Sequence, residues 1–294
     1  MDSIKSVVIV GGTHGNELTG IHLLRRWEQK PQEINRGSFV TETLLANPRA
    51  HAMNCRYIDQ DLNRQFAIQD LANPTLPGYE QNRAKAINQL IGPKQDPARD
   101  FIIDLHTTTA NMGITIVINS LNPIVRRAAV QVQKTVPNVT LFYQEVDRME
   151  DNFMISIARI GGLIIEVGPV AQGCLRADIF EASRLATHAV LDYLHLTNIG
   201  KAPELPETAS GFQFVKKVKM PEDEQGNLIG MIHPNVQDKD FQPLNPGDPL
   251  FLLQNGDTVF YQDEPGLCPA FVNEAAYYDQ HHGLSLLKRI EFEV

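Results

Sequence analysis

The chain has 294 residues, 43% of them hydrophobic, enough for a large domain plus a small one. It carries 26 basic against 35 acidic side chains, a formal net charge of −9 at pH 7, and no Lys/Arg run, which argues against a nucleic-acid partner. No apolar stretch approaches membrane-spanning length, and an anionic substrate would need a local group of arginines, because the overall charge does not attract it.

The three cysteines, Cys55, Cys174 and Cys268, lie far apart. They form neither a disulfide framework nor a zinc-knuckle spacing. The first strand begins within a few residues of the N-terminus and leaves no room for a signal peptide. Together these features read as a cytoplasmic protein with a small-molecule partner; homo-oligomerisation stays open.

Val7-Val8-Ile9-Val10 is a β-branched run that reads as a strand buried on both faces. Gly11-Gly12-Thr13-His14-Gly15-Asn16-Glu17 follows it. Its glycines permit a sharp turn and close approach. His14 and Glu17 then stand at the C-terminal edge of a sheet, where α/β folds place ligands. Imidazole and carboxylate are the usual non-sulfur zinc ligands, and a catalytic zinc takes three protein ligands with one open position. His106 is the third candidate, because Phe101-Ile102-Ile103-Asp104-Leu105-His106 is a second apolar run ending in histidine. Asp104, two residues earlier, shares a strand face with it and either orients a metal-bound imidazole or serves as a capping carboxylate.

Between these runs, residues 16–29 have helical spacing of Leu18, Ile21, Leu24 and Trp27. Residues 38–45 have strand character. Residues 55–64, Cys-Arg-Tyr-Ile-Asp-Gln-Asp-Leu-Asn-Arg, hold two acids and two arginines without periodicity. The stretch is either a solvated loop or an anion pocket, with Arg56 and Arg64 as two-pronged donors and Asn63 adding an amide. A helix is expected over residues 79–90, ended by Gly92-Pro93.

Further strands are expected over residues 113–118 and 139–143, with a helix over 123–134 that has Pro123 at a favoured first position. Leu163-Ile164-Ile165-Glu166-Val167-Gly168-Pro169 places a carboxylate inside an apolar strand. That is costly unless the group is paired or has a task. Beside a metal-activated water, Glu166 is suited to general acid/base work. A long amphipathic helix over residues 175–196 closes a main domain, 1–200. Short apolar stretches at 215–220, 228–233, 249–254 and 259–262, split by turn signals, read as a smaller C-terminal β domain, 201–294.

Gly11 to Glu17, Arg56-Tyr57-Ile58-Asp59, Asp61-Leu62-Asn63-Arg64, Asp104-Leu105-His106-Thr107-Thr108, Ile165 to Pro169, and Phe271-Val272-Asn273-Glu274-Ala275-Ala276-Tyr277-Tyr278 occur in this order. They resemble the aspartoacylase family, including the aminoacylase branch that deacylates N-acyl aromatic amino acids and mercapturates. The resemblance spans nearly the whole chain. It implies a zinc carboxypeptidase-like α/β main domain with a mixed sheet, and one Zn2+ per chain on His14, Glu17 and His106. It also implies Glu166 as acid/base, Arg56 polarising the scissile carbonyl, and Asn63 and Arg64 on the substrate carboxylate. Tyr277 would reach into the pocket, with Glu274 at the domain interface.

Two positions depart from that family pattern. An arginine that binds the aspartyl moiety would fall at Ile155 or Ser156, and a lysine at His281. Arg159, Arg148 and His281 are the candidate substitutes. The expected activity is zinc-dependent deacylation of an N-acyl amino acid, N-acetyl-L-aspartate first and aromatic or apolar N-acyl amino acids second. A nucleotide-binding turn is disfavoured, since Gly11-Gly12 lacks G-x-G-x-x-G and a Lys-Ser/Thr pair. A zinc-dependent binding protein without turnover would have no use for Glu166.

Overall fold

The structure is a computed structural model that describes residues 3–294. In chain order the elements of the first two thirds are β1 (Ser6–Gly11), α1 (Leu18–Gln29), β2 (Val40–Leu45), α2 (Pro48–Ala52), α3 (Ile68–Ala72), α4 (Tyr79–Ile91), β3 (Phe101–Thr107), β4 (Gly113–Asn119), α5 (Pro123–Thr135), β5 (Val139–Gln144), β6 (Gly161–Gly168) and α6 (Ala177–Asn198). The rest is β: β7 (Thr208–Lys219), β8 (Gly230–Ile232), β9 (Pro249–Leu253), β10 (Thr258–Phe260), β11 (Cys268–Ala270) and β12 (His282–Glu293). The fold is α/β, with a mixed sheet between helices and a C-terminal β part.

Strand alternation determines which side chains can meet. Odd-numbered residues of the central strands, such as Val7, Ile9, Ile103, Leu105, Leu163 and Ile165, pack into one core with Leu24 and Trp27 of α1 and Val190 of α6. Even-numbered Val8, Val10, Ile102 and Ile164 pack into a second core, with Ala84 and Ile87 of α4 and Met154. Successive strand residues face opposite sides, so Asp104, His106 and Glu166 point into this second layer. The functional cavity lies there.

The large sheet has the order β11-β12-β7-β5-β4-β6-β3-β1-β2. β1, β2, β3 and β6 run parallel, whereas β4 is antiparallel to β6. A three-stranded sheet, β10-β9-β8, stands apart. The C-terminal strands expected to form their own domain therefore divide in two. β7, β12 and β11 extend the main sheet, while β8 to β10 enclose a third core around Met220, Ile232, Phe251 and Tyr261.

Most of the expected elements match within a few residues; α2, α3 and β11 have no expected counterpart, and three further features differ. β7 begins at Thr208, seven residues before the expected start at 215, because its Thr-Ala-Ser-Gly opening lacks apolar alternation. β12 was not anticipated. Its first half is buried on both faces, which hides the period-two pattern. The ambiguous stretch before Gly161 holds a 3-10 turn, Met154–Ile157, whose four residues are all buried.

Candidate active site

The ligand loop is set by backbone demands. Gly12 has φ +68, a left-handed conformation that favours glycine. A Cβ on Gly15 would lie 2.1 Å from the Ala50 carbonyl carbon, so only glycine lets the loop pack on α2. The Gly15 amide donates to the Arg56 carbonyl at 3.1 Å, tying this loop to the charged stretch after α2.

His14, Glu17 and His106 converge, each nearly fully buried. Their ligand atoms all lie within 4.8 Å of one another, an arrangement able to hold a metal ion. His14 Nδ1 is 2.5 Å from the Glu17 carboxylate and 3.2 Å from His106 Nδ1. His106 Nδ1 is 3.1 Å from the same carboxylate. Tetrahedral ligands at zinc–nitrogen distances of about 2.0–2.1 Å stand about 3.3 Å apart. The donors thus already sit near the edges of such a tetrahedron.

The far side of each imidazole is held. His106 Nε2 meets Asp104 Oδ2 at 2.9 Å, and Asp104 Oδ1 accepts from Thr13 Oγ1 at 2.8 Å. His14 Nε2 meets Asp61 Oδ1 at 3.1 Å, and the Asn63 amide donates to that oxygen at 2.9 Å. With each Nε2–H donated to a carboxylate, both Nδ1 atoms are free to act as ligands. The charges fit a cation at the centre. Burial pushes Glu17 up, but His14 and His106 overrule it and hold its carboxyl well below the usual range. Burial likewise opposes charge on His106, but Asp104 and Glu17 raise it well above an ordinary histidine.

Arg56 bridges two of these carboxylates, with Nη1 on Glu17 at 3.2 Å and Nη2 on Asp61 at 3.0 Å. Asn63 is buried, and its Oδ1 accepts from the Met154 amide at 3.0 Å. Arg64 is exposed to the cavity and lies over the Phe153 ring at 4.3 Å. Glu166 pairs with His106 across β6 and β3 and with Thr115 across β6 and β4. Burial, then the Glu17 and Glu274 carboxylates, lift Glu166 to about 8, against His106 and Arg56.

The C-terminal segment closes the site. Glu274 is buried and accepts from the Thr108 hydroxyl, from the Thr109 amide at 2.7 Å, and from the Ala276 amide at 3.0 Å. It thereby fastens the Ala275–Gln280 turn to the end of β3. Tyr277, on that turn, lines the cavity and stacks on His282 at 5.0 Å between ring centroids. Burial pushes its hydroxyl up to about 12. The resulting cavity has a volume of about 430 Å³ and takes walls from both parts of the chain.

All eight site residues read from the sequence line this one cavity. The proposed substitute cations do not. Arg148 donates to the Lys94 and Ser156 carbonyls. Arg159 binds Asp100, which precedes β3 and so lies at the opposite end of the strands. His281 pairs with Glu222. Ile155 and Ser156 are buried within the 3-10 turn. The further cation in the cavity wall is Lys217, on β7.

Two contributors went unnoticed in the sequence. Asp61 serves His14 and Arg56 together. Glu80 is fully buried on α4 and accepts from the amides of Ile58, Asp59 and Gln60 and from Asn47. It shapes the loop that carries Asp61, Asn63 and Arg64. Its signal was present, since Glu80 occupies the same helical stripe as Ala84, Ile87 and Ile91.

A nine-stranded mixed sheet with a His/Glu/His cluster at its strand ends defines the class of a metal-site α/β protein. The chain belongs to the succinylglutamate desuccinylase/aspartoacylase family: that family's catalytic domain matches residues 3–194, and the AstE/AspA barrel-sandwich hybrid domain matches 207–289. It is 42% identical to a probable aspartoacylase of Trichodesmium erythraeum over the full length of both chains. It is 39% identical to the human N-acyl-aromatic-L-amino acid amidohydrolase (carboxylate-forming), covering all of this chain and 93% of that one. The crystal structure of murine aminoacylase 3 superposes with a TM-score of 0.93 at 38% identity, covering 100% of this chain and 98% of that chain.

Proposed function

We propose that the protein is a zinc-dependent amidohydrolase that cleaves N-acyl amino acids, with N-acetyl-L-aspartate the first choice of substrate. The observation that carries this reading is the convergence of His14, Glu17 and His106 beside a second, half-buried carboxylate, Glu166, in a cavity with arginines. The two domains of the proposal, 1–200 and 201–294, share that cavity. Relatives named aspartoacylase and N-acyl-aromatic amino acid amidohydrolase support the reaction class.

His14, Glu17 and His106 would hold one zinc ion, which when bound acidifies a water and polarises a carbonyl. Glu166 takes a proton from the attacking water and later gives it to the departing amine. Its raised pKa suits the second task, and a cation held nearby draws it down for the first. Arg56, held by Glu17 and Asp61, is oriented before substrate arrives and donates toward the developing oxyanion. Asn63 and Arg64 bind the free carboxylate of the amino-acid part, and Tyr277 covers it from the C-terminal side.

The cavity wall also supports a second reading. Phe142, Phe153, Phe214 and Phe271 all line it, which suits an aromatic or apolar N-acyl amino acid. Lys217 supports aspartate, because a second substrate carboxylate needs a cation. Turnover of a panel of N-acetyl amino acids, with added zinc and with chelator, tests both. The expected result is chelator-sensitive hydrolysis with the highest kcat/KM on N-acetyl-L-aspartate. If aspartate is worse than phenylalanine or tyrosine by about tenfold, roughly 1.4 kcal/mol of transition-state preference, the aromatic reading replaces it. No hydrolysis of any member would overturn the reaction class.

A further inference from the structure

We propose that Asn119 and Gln144 form a second recognition point in this cavity, for a neutral hydrogen-bonding group at the end of the substrate's acyl chain. The inference rests on the deacylase reading and concerns a part of the cavity that the reading leaves unused.

The floor of the cavity is a ladder of paired strand residues. Glu166 pairs with Thr115, and the next position along pairs Ile164 with Val117 and Val117 with Phe142. One step further, Asn119 pairs with Gln144. Alternate residues share a face, so an apolar row separates the acid/base carboxylate from a pair of carboxamides. Asn119 is only 6% exposed, and its Oδ1 has no hydrogen-bond partner among the described residues. No side-chain bond of Gln144 is found there either. Buried polar groups are nearly always paired, and here a buried carboxamide oxygen on Asn119 lines the cavity without a partner, next to the half-buried Gln144.

The direction of the substrate follows from Arg64. That arginine lies over Phe153, beside the Met154–Ile157 turn that packs on β3 and β6. A carboxylate on Arg64 puts the amino-acid part over β3 and β6. The acyl part then runs the other way, over β4 and β5, toward Asn119 and Gln144. Residues four apart on a strand are separated by about 13 Å. After the reach of the side chains at each end, an acyl chain of about six carbons spans the gap.

The chemistry of the tip follows from the donors and acceptors. Each carboxamide offers an N–H donor and an oxygen acceptor. A hydroxyl or carboxamide can satisfy both kinds. An ionised carboxylate only accepts, so it leaves the Asn119 oxygen unpaired. The cavity's lysine and arginines come from outside β4, β5 and β6. A methyl tip leaves both carboxamides unpaired.

The test is a set of N-acyl-L-aspartates and N-acyl-L-phenylalanines with six-carbon acyl chains ending in methyl, hydroxyl, carboxamide or carboxylate, beside the N-acetyl compounds. The zinc-loaded wild-type protein should favour the hydroxyl and carboxamide tips over methyl and carboxylate by about tenfold in kcat/KM. Asn119→Leu and Gln144→Leu should bring the hydroxyl-to-methyl ratio toward one. Turnover of N-acetyl compounds without discrimination among the tips in the wild-type protein would overturn this inference and leave the deacylase reading intact. Equal ratios in wild type and both variants would overturn it too, as would tip selection that appears only when the polar group is on the amino-acid side chain. No turnover of any compound is instead a failure of the deacylase reading itself.

Discussion

The two ends of the cavity differ in how their polar groups are satisfied. Around His14, Glu17 and His106 the charged groups are already paired, whereas Glu166 and Arg64 beside them make no ion pair among the described residues. Asp104 holds His106, Asp61 holds His14, and Arg56 lies between Glu17 and Asp61. Toward β4, β5 and β7 the opposite holds. Asn119 Oδ1 is unpaired at the β4–β5 end, and on a separate wall, where β7 has left β5 and pairs with β12 beside Tyr277, His282 Nδ1 is buried without a partner and Lys217 makes no ion pair among the described residues. On the proposed reading, the metal-binding groups and Arg56 are oriented by hydrogen bonds before substrate arrives. Groups that read substrate need free capacity, because their partners arrive with the ligand.

The largest expected effect is at Glu166, beside the paired cluster. Glu166→Gln keeps the shape of the residue and removes its proton transfer. The expected result is full zinc content by metal analysis and a turnover number lower by about two to four orders of magnitude. Near-normal turnover would remove Glu166 from the chemistry. Zinc content should be about one per chain, and His106→Ala should lose most of it.

Glu274 is the next largest case, because it joins the end of β3 to the C-terminal turn that carries Tyr277. Glu274→Gln replaces a carboxylate that accepts from the Thr109 and Ala276 amides with a group that is half donor. Hydrogen bonds to a charged group contribute about 1.5–3 kcal/mol each. A loss of about 3 kcal/mol is expected in urea unfolding, with a raised KM because Tyr277 sits on the released turn. An unchanged midpoint would show that the turn holds its place without this carboxylate.

Asp104→Asn tests the orientation of His106. An amide in place of the carboxylate no longer supports an Nε2–H imidazole with the same strength. Metal affinity should fall about 10- to 100-fold, measured by competition with a chromogenic chelator. Unaltered affinity would place the orientation of His106 in strand packing alone.

The sequence shows the paired end better than the unpaired one, for physical reasons. His14 and His106 follow β-branched or apolar runs, and Glu166 interrupts one, so each stands out locally as a polar residue against a continuous apolar strand. The meeting of His14, Glu17 and His106 then follows from β1 and β3 being parallel neighbours. Asp61 carries no such signal, because it acts from a loop whose shape depends on Glu80, some twenty residues away. Asn119 and Gln144 are ordinary residues at strand ends in the sequence. Only the β4–β5 register makes them neighbours. The assignment of β12 to the main sheet is likewise a matter of long-range pairing with β7.

The smallest expected effect concerns Lys217, on the β7 and β12 wall, and decides the amino-acid preference. Arg56 is already bonded to two carboxylates, which leaves Arg64 and Lys217 as the lysine or arginine side chains in the cavity without an ion pair among the described residues. N-acetyl-L-aspartate brings two carboxylates and N-acetyl-L-phenylalanine only one. Lys217→Met keeps most of the side chain's length and removes its charge. The expected loss is about tenfold in kcat/KM on N-acetyl-L-aspartate, roughly 1.4 kcal/mol, with a smaller loss on N-acetyl-L-phenylalanine. The loss should fall mainly on KM, since a contact with a non-reacting carboxylate acts similarly on ground and transition states. Lys217 is exposed, so the effect should shrink as salt is raised from low to physiological ionic strength. Equal losses on both substrates would mean that Lys217 attracts the shared carboxylate. The side-chain carboxylate of aspartate would then have no lysine or arginine of its own in this cavity, and the aromatic reading would gain the ground that aspartate loses.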